Sequence, residues 1–368
     1  MSQAPDASVS LLDPRGQRAT HPGFPSARTD AELAQDLADM TLARRLDTEA
    51  TALQRQGQLA LWPQSLGQEA AQIGSARALR PRDKVVPSFR EHGVAWCLGV
   101  DPVELLSGFR CTSMIAWDPA ATKPEFNLYS FYIGAQVPHA VGMGMAMRLD
   151  KMVGNPNEDD NGAVLVYFGD GATSEGDVHE AFVFAAAFNA PVVFFCQNNQ
   201  WAISEPTALQ ANVPLYRRAA GYGFPGIRVD GNDVLAVHAV TSWAMERARR
   251  GDGPALIEAY TYRMGAHTTA DDPTRYRLAD EVESWRAKDP IDRVRAYLTE
   301  RGAIDEAWER RLADESDALA ARLRAGVVAL PEPDLADWWQ HVYTDTPASL
   351  LRERDEFVAR RAEFAGAR

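Results

Sequence analysis

Short runs of apolar residues alternate with segments of helical periodicity through the middle of the chain. The apolar runs predict strands at residues 163–168, 191–197, 226–229 and 255–261, and the periodic segments predict helices at 175–188 and 233–250. Strands that alternate with helices are typical of a parallel sheet covered by helices on both faces. The pattern therefore predicts an α/β fold for this part of the chain.

A long amino-terminal helix is predicted to begin at Thr29-Asp30. Apolar residues recur there at helical spacing, which is typical of a face buried in a core or subunit contact. They are Leu33, Leu37, Met40, Leu42, Leu46 and Leu53. Residues 1–29 show no sustained periodicity and are rich in Pro, Ser, Asp, Arg and Gly. We expect residues 1–29 to be a flexible or surface arm and residues 30–368 to be a single domain.

The carboxyl-terminal part of the chain has a different pattern, which is helical and highly charged. This pattern predicts a helical tail at residues 280–368. An apolar cluster in this tail is formed by Trp338, Trp339, Val342 and Tyr343. Two alternatives stay open for the cluster, since it could pack on a partner chain or form an internal core.

Composition and charge narrow the class of protein. The chain has 368 residues, 46% of them hydrophobic and 24% charged, which is ordinary for a globular protein. A net charge of -13 argues against a nucleic-acid partner, because phosphate binding needs a basic surface. The three cysteines show no disulfide or CxxC spacing, and no apolar run is long enough to span a membrane. We therefore expect a cytoplasmic protein.

Oxygen-bearing side chains follow two of the predicted strands. Gly169-Asp170-Gly171 follows the first strand, and Asn198-Asn199 follows the next one. If these strands are parallel neighbours, Asp170 and Asn199 lie together at the carboxyl edge of the sheet, where such sheets bind ligands. Carboxylate and amide oxygens suit Mg²⁺ shared with a phosphate, and Gly171 allows close backbone approach. Asp-Gly after a strand is also an ordinary turn.

The spacing between these two motifs resembles a known signature. The 26 residues 172–197 separate them, as in the thiamine-diphosphate motif of GDG followed by NN. The surrounding words resemble the α subunits of 2-oxo acid dehydrogenase E1 components, and the resemblance covers residues 30 to 355. These words are ATSEGDVHEAFVFAA, NNQWAIS, RVDGND at 228–233 and YRMGAHTTADDPTRYR at 262–277.

The resemblance implies a thiamine-diphosphate-binding fold and an oxidoreductase that depends on thiamine diphosphate and Mg²⁺. Such a subunit decarboxylates a 2-oxo acid and acylates the lipoyl group of an E2 acyltransferase. It works in an α2β2 assembly, in which the β subunit supplies the glutamate that activates the aminopyrimidine ring. The words NNQWAIS and HTTADDPTRYR are nearer to the branched-chain branch, with pyruvate as the alternative substrate. A non-catalytic cofactor-binding or scaffold subunit is the alternative of another class.

The resemblance also implies roles for individual residues. Asp170, Asn199 and the Trp201 carbonyl are the expected Mg²⁺ ligands, and Arg90 the expected ligand of the terminal phosphate. The expected cofactor-binding residues are Phe89, Arg90, Ile133, Gly169, Asp170, Gly171, Ala172, Asn199, Ala202, Ile203 and His267. Ile133 is expected either to hold the cofactor in its bent shape or to be a buried core residue.

His267 is the expected catalytic residue, because it matches the active-site histidine of the family. It could donate a hydrogen bond or transfer a proton during reductive acylation, although a single histidine in a loop is also a common surface residue. The residues expected to order its loop are Arg263, Asp271, Tyr276 and Arg277. Thr268 matches a position that carries a regulatory phosphoserine in mitochondrial relatives.

Three departures from the family pattern concern the cofactor cleft and the substrate channel. Phe89 replaces the usual Tyr and so removes a hydroxyl group, and Gln197 replaces an Arg that some relatives place against the phosphate. The segment 111–130 lacks the Gly-Arg-Gln sequence and the following His of many relatives.

Overall fold

The computed structural model describes residues 8–110, 117–331, 338–339 and 342–365. The strands are β1 (Lys84–Val86), β2 (Glu125–Phe126), β3 (Val164–Gly169), β4 (Val192–Asn198), β5 (Trp201–Ala202), β6 (Glu205–Pro206), β7 (Gly226–Asp230) and β8 (Ala255–Tyr260). The helices are α1 (Asp30–Arg55), α2 (Glu69–Ala76), α3 (His92–Cys97), α4 (Pro102–Arg110), α5 (Gln136–Leu149), α6 (Gly176–Ala187), α7 (Thr207–Gln210), α8 (Arg218–Tyr222), α9 (Val234–Arg249), α10 (Ala279–Arg286), α11 (Pro290–Glu300), α12 (Glu306–Ala329) and α13 (Ala348–Ala365). Each end of the predicted elements between 163 and 261 lies within one residue of its expected position.

Six strands form one parallel sheet in the order β2-β1-β3-β4-β8-β7. From β1 the chain proceeds to β2 on one side, and from β3 it proceeds to β4 on the other side, so the strand order reverses between β1 and β3. A reversal of this kind opens a crevice at the carboxyl ends of the strands. The short strands β5 and β6 pair separately as an antiparallel hairpin.

The core lies on both faces of this sheet, which explains why the strands are continuous apolar runs. Along β3, Val164, Val166 and Phe168 point into a cluster with apolar residues of α5 and α6. Leu165 and Tyr167 point to the opposite face, where α1, α2 and α9 contribute to a second cluster. The α/β fold with helices on both faces is therefore confirmed.

Helix α1 begins where the sequence predicts, because Thr29 and Glu32 form a capping box there. All six apolar residues of its predicted stripe are buried. The stripe belongs to the core of the same chain.

Within the expected flexible or surface arm, most residues from 13 to 29 are exposed, whereas Val9, Leu11 and Leu12 are buried in the fold. Val9 donates to the Arg228 carbonyl and accepts from the Asp230 amide, both at 2.9 Å. Leu11 and Leu12 are fully buried, and each amide donates to the Asp233 carboxylate at 2.6 Å. The segment is anchored because it supplies apolar side chains to the core and satisfies a buried carboxylate.

The carboxyl-terminal tail is helical, as predicted, from α10 to α13. Within its apolar cluster Trp338, Val342 and Tyr343 are 49%, 53% and 57% exposed, so an internal core is wrong for these three residues. The ring of Trp339 contacts Phe357 of α13, with the centroids 5.3 Å apart. No helix of the described part combines the length and the hydropathy needed to cross a membrane.

Candidate active site

A cavity of about 260 Å³ lies at the carboxyl edge of the sheet, next to the ends of β1, β3 and β4. All the residues expected to bind the cofactor line it, and so does the predicted metal ligand Trp201. The lining residues are Gln68, Ser88, Phe89, Arg90, Glu91, Ser130, Ile133, Gly134, Gln136, Gly169, Asp170, Gly171, Ala172, Glu175, Gln197, Asn199, Trp201, Ala202, Ile203, Arg263 and His267. The structure thus brings together segments that lie far apart in the sequence.

Asp170 follows β3 and is 2% exposed. The Thr207 hydroxyl donates to its Oδ2 at 2.7 Å. Burial raises the pKa of the Asp170 carboxyl, and this effect outweighs the hydrogen bond from Thr207 and the charge of Arg263. A buried carboxylate of this kind is stabilised by a cation bound beside it.

Asn199 follows the neighbouring strand β4, and its orientation is set by two hydrogen bonds. Its Nδ2 donates to Gln68 Oε1 at 3.1 Å, and its Oδ1 accepts from the Trp201 amide at 3.3 Å. The Trp201 carbonyl accepts from Arg263 Nη1 at 2.7 Å and retains a second lone pair. No group of three His, Cys, Asp or Glu side chains suited to a metal occurs among the described residues. The carboxylate, amide and carbonyl oxygens instead fit a hard cation that also takes phosphate oxygens as ligands.

There is no room for a side chain at Gly171. A Cβ atom there would lie 2.7 Å from the Cβ of Ala202 on the β5–β6 hairpin. A Cβ at Gly169 would meet no protein atom within 4 Å, so this backbone faces open space. The cleft floor therefore offers exposed main chain, as the binding of a diphosphate requires.

Arg90 lies in the loop after β1 and is 5% exposed. Its guanidinium donates to the Gln64 carbonyl and to His267 Nδ1, the latter at 3.2 Å. Burial, followed by the nearby charge of Arg263, lowers the pKa of Arg90 to about 9. The side chain stays charged at neutral pH and can bind an anion in the cleft.

Phe89 and Ile133 form an apolar part of the cleft. The Phe89 ring stacks on Phe131 at a centroid distance of 6.1 Å and meets the His267 ring edge-on at 6.2 Å. Ile133 is 47% exposed, so the alternative of a buried core residue is wrong. Residues 111–116 of the divergent segment 111–130 lie outside the described residues.

His267 is partly buried between two arginines. Its Nδ1 lies 3.2 Å from Nη2 of Arg90 and 3.2 Å from Nη1 of Arg263. Because guanidinium groups only donate, Nδ1 accepts and the proton of the neutral ring resides on Nε2. Burial first, and then the charges of Arg90 and Arg263, lower the pKa of His267 to about 3.

The residues predicted to order the loop of His267 contact it or one another. The Asp271 carboxylate accepts from the His267 amide at 2.9 Å and from the Tyr276 hydroxyl. Arg277 donates to the Met264 carbonyl at 3.0 Å. Arg263 lines the cleft, whereas Asp271, Tyr276 and Arg277 are not among its lining residues.

Sequence reasoning missed several polar residues of the cleft. The Glu91 carboxylate is buried and accepts from Gln197 Nε2 at 2.6 Å and from the Ser88 amide at 2.8 Å. Burial raises its pKa. Gln197 therefore satisfies a buried acid. Glu91 could have been found because it directly follows Arg90. Thr207, which donates to Asp170 without lining the cleft, lies in no motif.

Comparison with known proteins identifies the class. The family model described as Dehydrogenase E1 component matches residues 38–322, and the chain belongs to this family of thiamine-diphosphate-dependent oxidoreductases. Alpha subunits of this kind work with a beta subunit and an E2 component. The family expected from the sequence is therefore confirmed.

Individual relatives cover most of the chain. The 3-methyl-2-oxobutanoate dehydrogenase subunit alpha of Mycobacterium tuberculosis is 45% identical over 329 residues, which are 89% of this chain and 86% of that protein. The mitochondrial 2-oxoisovalerate dehydrogenase subunit alpha 2 of Arabidopsis thaliana is 36% identical, over 95% of this chain and 74% of that protein. The pyruvate dehydrogenase E1 component subunit alpha of Acholeplasma laidlawii is 40% identical, over 86% of this chain and 89% of that protein.

Proposed function

We propose that this chain is the α subunit of an E1 component that acts on branched-chain 2-oxo acids such as 3-methyl-2-oxobutanoate. It decarboxylates the acid and transfers the acyl group to the lipoyl group of E2. The observation that carries the proposal is the convergence of Asp170, Asn199, Arg90 and His267 on one cleft. The 45% identity to a 3-methyl-2-oxobutanoate dehydrogenase subunit alpha supports the substrate class.

The cleft residues divide into a cation site and an anion site. The side-chain oxygens of Asp170 and Asn199 and the Trp201 carbonyl would hold Mg²⁺, while Arg90 would hold the terminal phosphate of thiamine diphosphate. Main-chain amides at Gly171 and Ala172 would add donors to the diphosphate. When bound, thiamine diphosphate supplies the nucleophilic carbon and the electron sink that decarboxylation of a 2-oxo acid requires.

His267 acts as a neutral hydrogen-bond donor in this proposal. Because Arg90 and Arg263 both donate to Nδ1, the ring presents its proton at Nε2. An N–H group fixed in this way stabilises negative charge that develops on the oxygen of the 2-oxo group. In this state the ring donates a hydrogen bond and does not transfer its proton, because a neutral imidazole that lost its Nε2 proton would become an imidazolate anion.

A β subunit would complete the site in an α2β2 assembly. Side chains at or beside the cleft are exposed and apolar, which supports a covering partner, since Phe131, Tyr132 and Ile203 are 59%, 83% and 55% exposed. The β subunit would also supply the glutamate that activates the aminopyrimidine ring. The cytoplasmic location stays a prediction from the sequence.

Pyruvate is the second candidate substrate, because a pyruvate dehydrogenase E1 component subunit alpha is 40% identical to this chain. Steady-state assays of the chain co-expressed with its β partner, on pyruvate and on 3-methyl-2-oxobutanoate, distinguish the two. We expect the higher kcat/KM on 3-methyl-2-oxobutanoate. A clear preference for pyruvate would overturn the branched-chain assignment.

A non-catalytic cofactor-binding or scaffold subunit is the candidate of another class, suggested by the departures of Phe89, Gln197 and the segment 111–130 from the family pattern described above. Calorimetry of the α plus β assembly with thiamine diphosphate and Mg²⁺ tests it. We expect binding that Asp170→Ala abolishes. Binding that is absent, or unaffected by this substitution, would favour the scaffold.

A further inference from the structure

The loop that carries His267 lies along a second segment of the chain, formed by residues 62–66. The Met264 amide donates to the Leu66 carbonyl, and the Thr269 amide donates to the Trp62 carbonyl, both at 3.0 Å. The Trp62 amide in turn donates to the Thr269 hydroxyl at 3.0 Å. Residues 62–66 therefore hold the loop by hydrogen bonds on both sides of His267.

Gln64 lies in the middle of the segment 62–66 and contacts the loop through its side chain. Its Oε1 accepts from the Ala266 amide at 3.0 Å, and its Nε2 donates to the Thr51 hydroxyl at 3.0 Å. A Cβ atom at Gly265 would lie 2.5 Å from the same Oε1, so the loop approaches Gln64 closely because residue 265 is a glycine. The Gln64 carboxamide is thus held between α1 and the loop.

Two consecutive loop amides are fixed from different directions. Gln64 accepts from the Ala266 amide, and Asp271 accepts from the next amide, that of His267. Helix and strand hydrogen bonds do not hold this stretch, because it lies between β8 and α10 outside both kinds of element. Two side-chain acceptors therefore hold the backbone at Ala266 and His267, between the main-chain hydrogen bonds at Met264 and Thr269.

We propose that Gln64 is a positioning residue for His267, acting through the Ala266 amide. The proposal rests on the proposed function for the role of His267 in the reaction. In the described hydrogen bonds, Arg90 donates to the main-chain carbonyl of Gln64 and not to its side chain. A change of the Gln64 side chain therefore leaves this contact in place. Gln64 thereby affects the reaction step more than the binding of the cofactor.

The test uses three variants of the α plus β assembly. Gln64→Met keeps the volume but removes the acceptor, whereas Gln64→Glu keeps an acceptor for the Ala266 amide. Gln56→Met is the matched control, because Gln56 is exposed at the end of α1. We expect Gln64→Met to lower kcat about tenfold, since small misplacements of catalytic groups have effects of this size or larger. KM for thiamine diphosphate should change less than about twofold, because a residue acting on kcat alone leaves ground-state binding intact.

Limited trypsin digestion gives a readout that does not depend on activity. Cleavage after Arg275, in the loop, should become about fivefold faster in Gln64→Met, because local opening controls proteolysis of folded chains. Gln64→Glu and Gln56→Met should match the wild type in both measurements. Unchanged kcat and digestion in Gln64→Met, or equal losses in Gln64→Glu, would overturn the proposal. A wild-type assembly inactive on every 2-oxo acid would instead refute the proposed function, and digestion would still show whether Gln64 orders the loop of His267.

Discussion

Nδ1 of His267 lies 3.2 Å from Nη2 of Arg90, although 177 positions separate the two residues in the sequence. The contact joins the expected phosphate ligand to the expected catalytic residue. It also fixes which ring nitrogen of His267 carries the proton, because a guanidinium group cannot accept a hydrogen bond. A change in the position of Arg90, the expected phosphate ligand, therefore acts directly on the imidazole ring of His267.

The neutral state of His267 makes folding stability depend on pH. An unfolded histidine takes up its proton near pH 6.5, whereas burial and the two arginines lower the pKa of folded His267 to about 3. Between these values the unfolded chain binds more protons, so stability is lost as the pH falls below about 6.5. His267→Gln removes this loss. Denaturant unfolding should show the wild type losing about 2 kcal/mol relative to the variant between pH 7 and pH 5. If the stability difference between the wild type and the variant is the same at pH 7 and pH 5, the low pKa of folded His267 is contradicted.

Asp170 is expected to stabilise the cofactor-bound chain and to destabilise the free chain. Its carboxylate is buried, and burial raises its pKa. Asp170→Asn should therefore stabilise the free chain by about 1 kcal/mol, as substitutions at strained functional sites often do. The same variant should lose the gain in Tm that the wild type shows with Mg²⁺ and thiamine diphosphate. A free variant less stable than the wild type would show that Asp170 is mainly structural.

Gly171 is expected to be intolerant of any side chain. The added Cβ in Gly171→Ala would lie 2.7 Å from the Cβ of Ala202 and should destabilise the fold by about 1–3 kcal/mol. Adding Ala202→Gly removes the opposing atom and should recover part of this loss, which a double-mutant cycle measures. Gly176→Ala is the control, because its Cβ would meet no atom within 4 Å. Strictly additive effects at 171 and 202 would contradict the contact.

Gln68 is expected to support the proposed Mg²⁺ site through Asn199. Its Oε1 accepts from Asn199 Nδ2 and so directs the Asn199 oxygen away from Gln68. Gln68→Met removes this acceptor and should weaken Mg²⁺ binding about tenfold, which is typical for a residue that orients a metal ligand. Gln68→Glu keeps an acceptor and should bind Mg²⁺ as well as the wild type does. Calorimetric titration with Mg²⁺ in the presence of thiamine diphosphate measures both variants, and equal weakening would exclude this role.

The sequence predicts the parts of the site that depend on the order of strands. Asp170 and Asn199 could be placed together because they follow neighbouring strands of a parallel sheet, whose carboxyl ends share one edge. The contacts of Thr207 with Asp170 and of Gln68 with Asn199 could not be predicted, since they depend on how a hairpin and a helix pack over that edge. The burial of Leu11 and Leu12 was missed for a related reason. Two adjacent leucines have no periodicity, and their partner Asp233 lies more than 200 positions away.

The amino-terminal segment covers one edge of the six-stranded sheet. β7 is the last strand of the sheet, and an unpaired edge strand is a template for pairing with another chain. Val9 bonds to the outer side of β7 at Arg228 and Asp230, so the beginning of the chain shields that edge. A truncated protein that begins after Leu12 would expose the edge. We expect such a truncation to aggregate during expression.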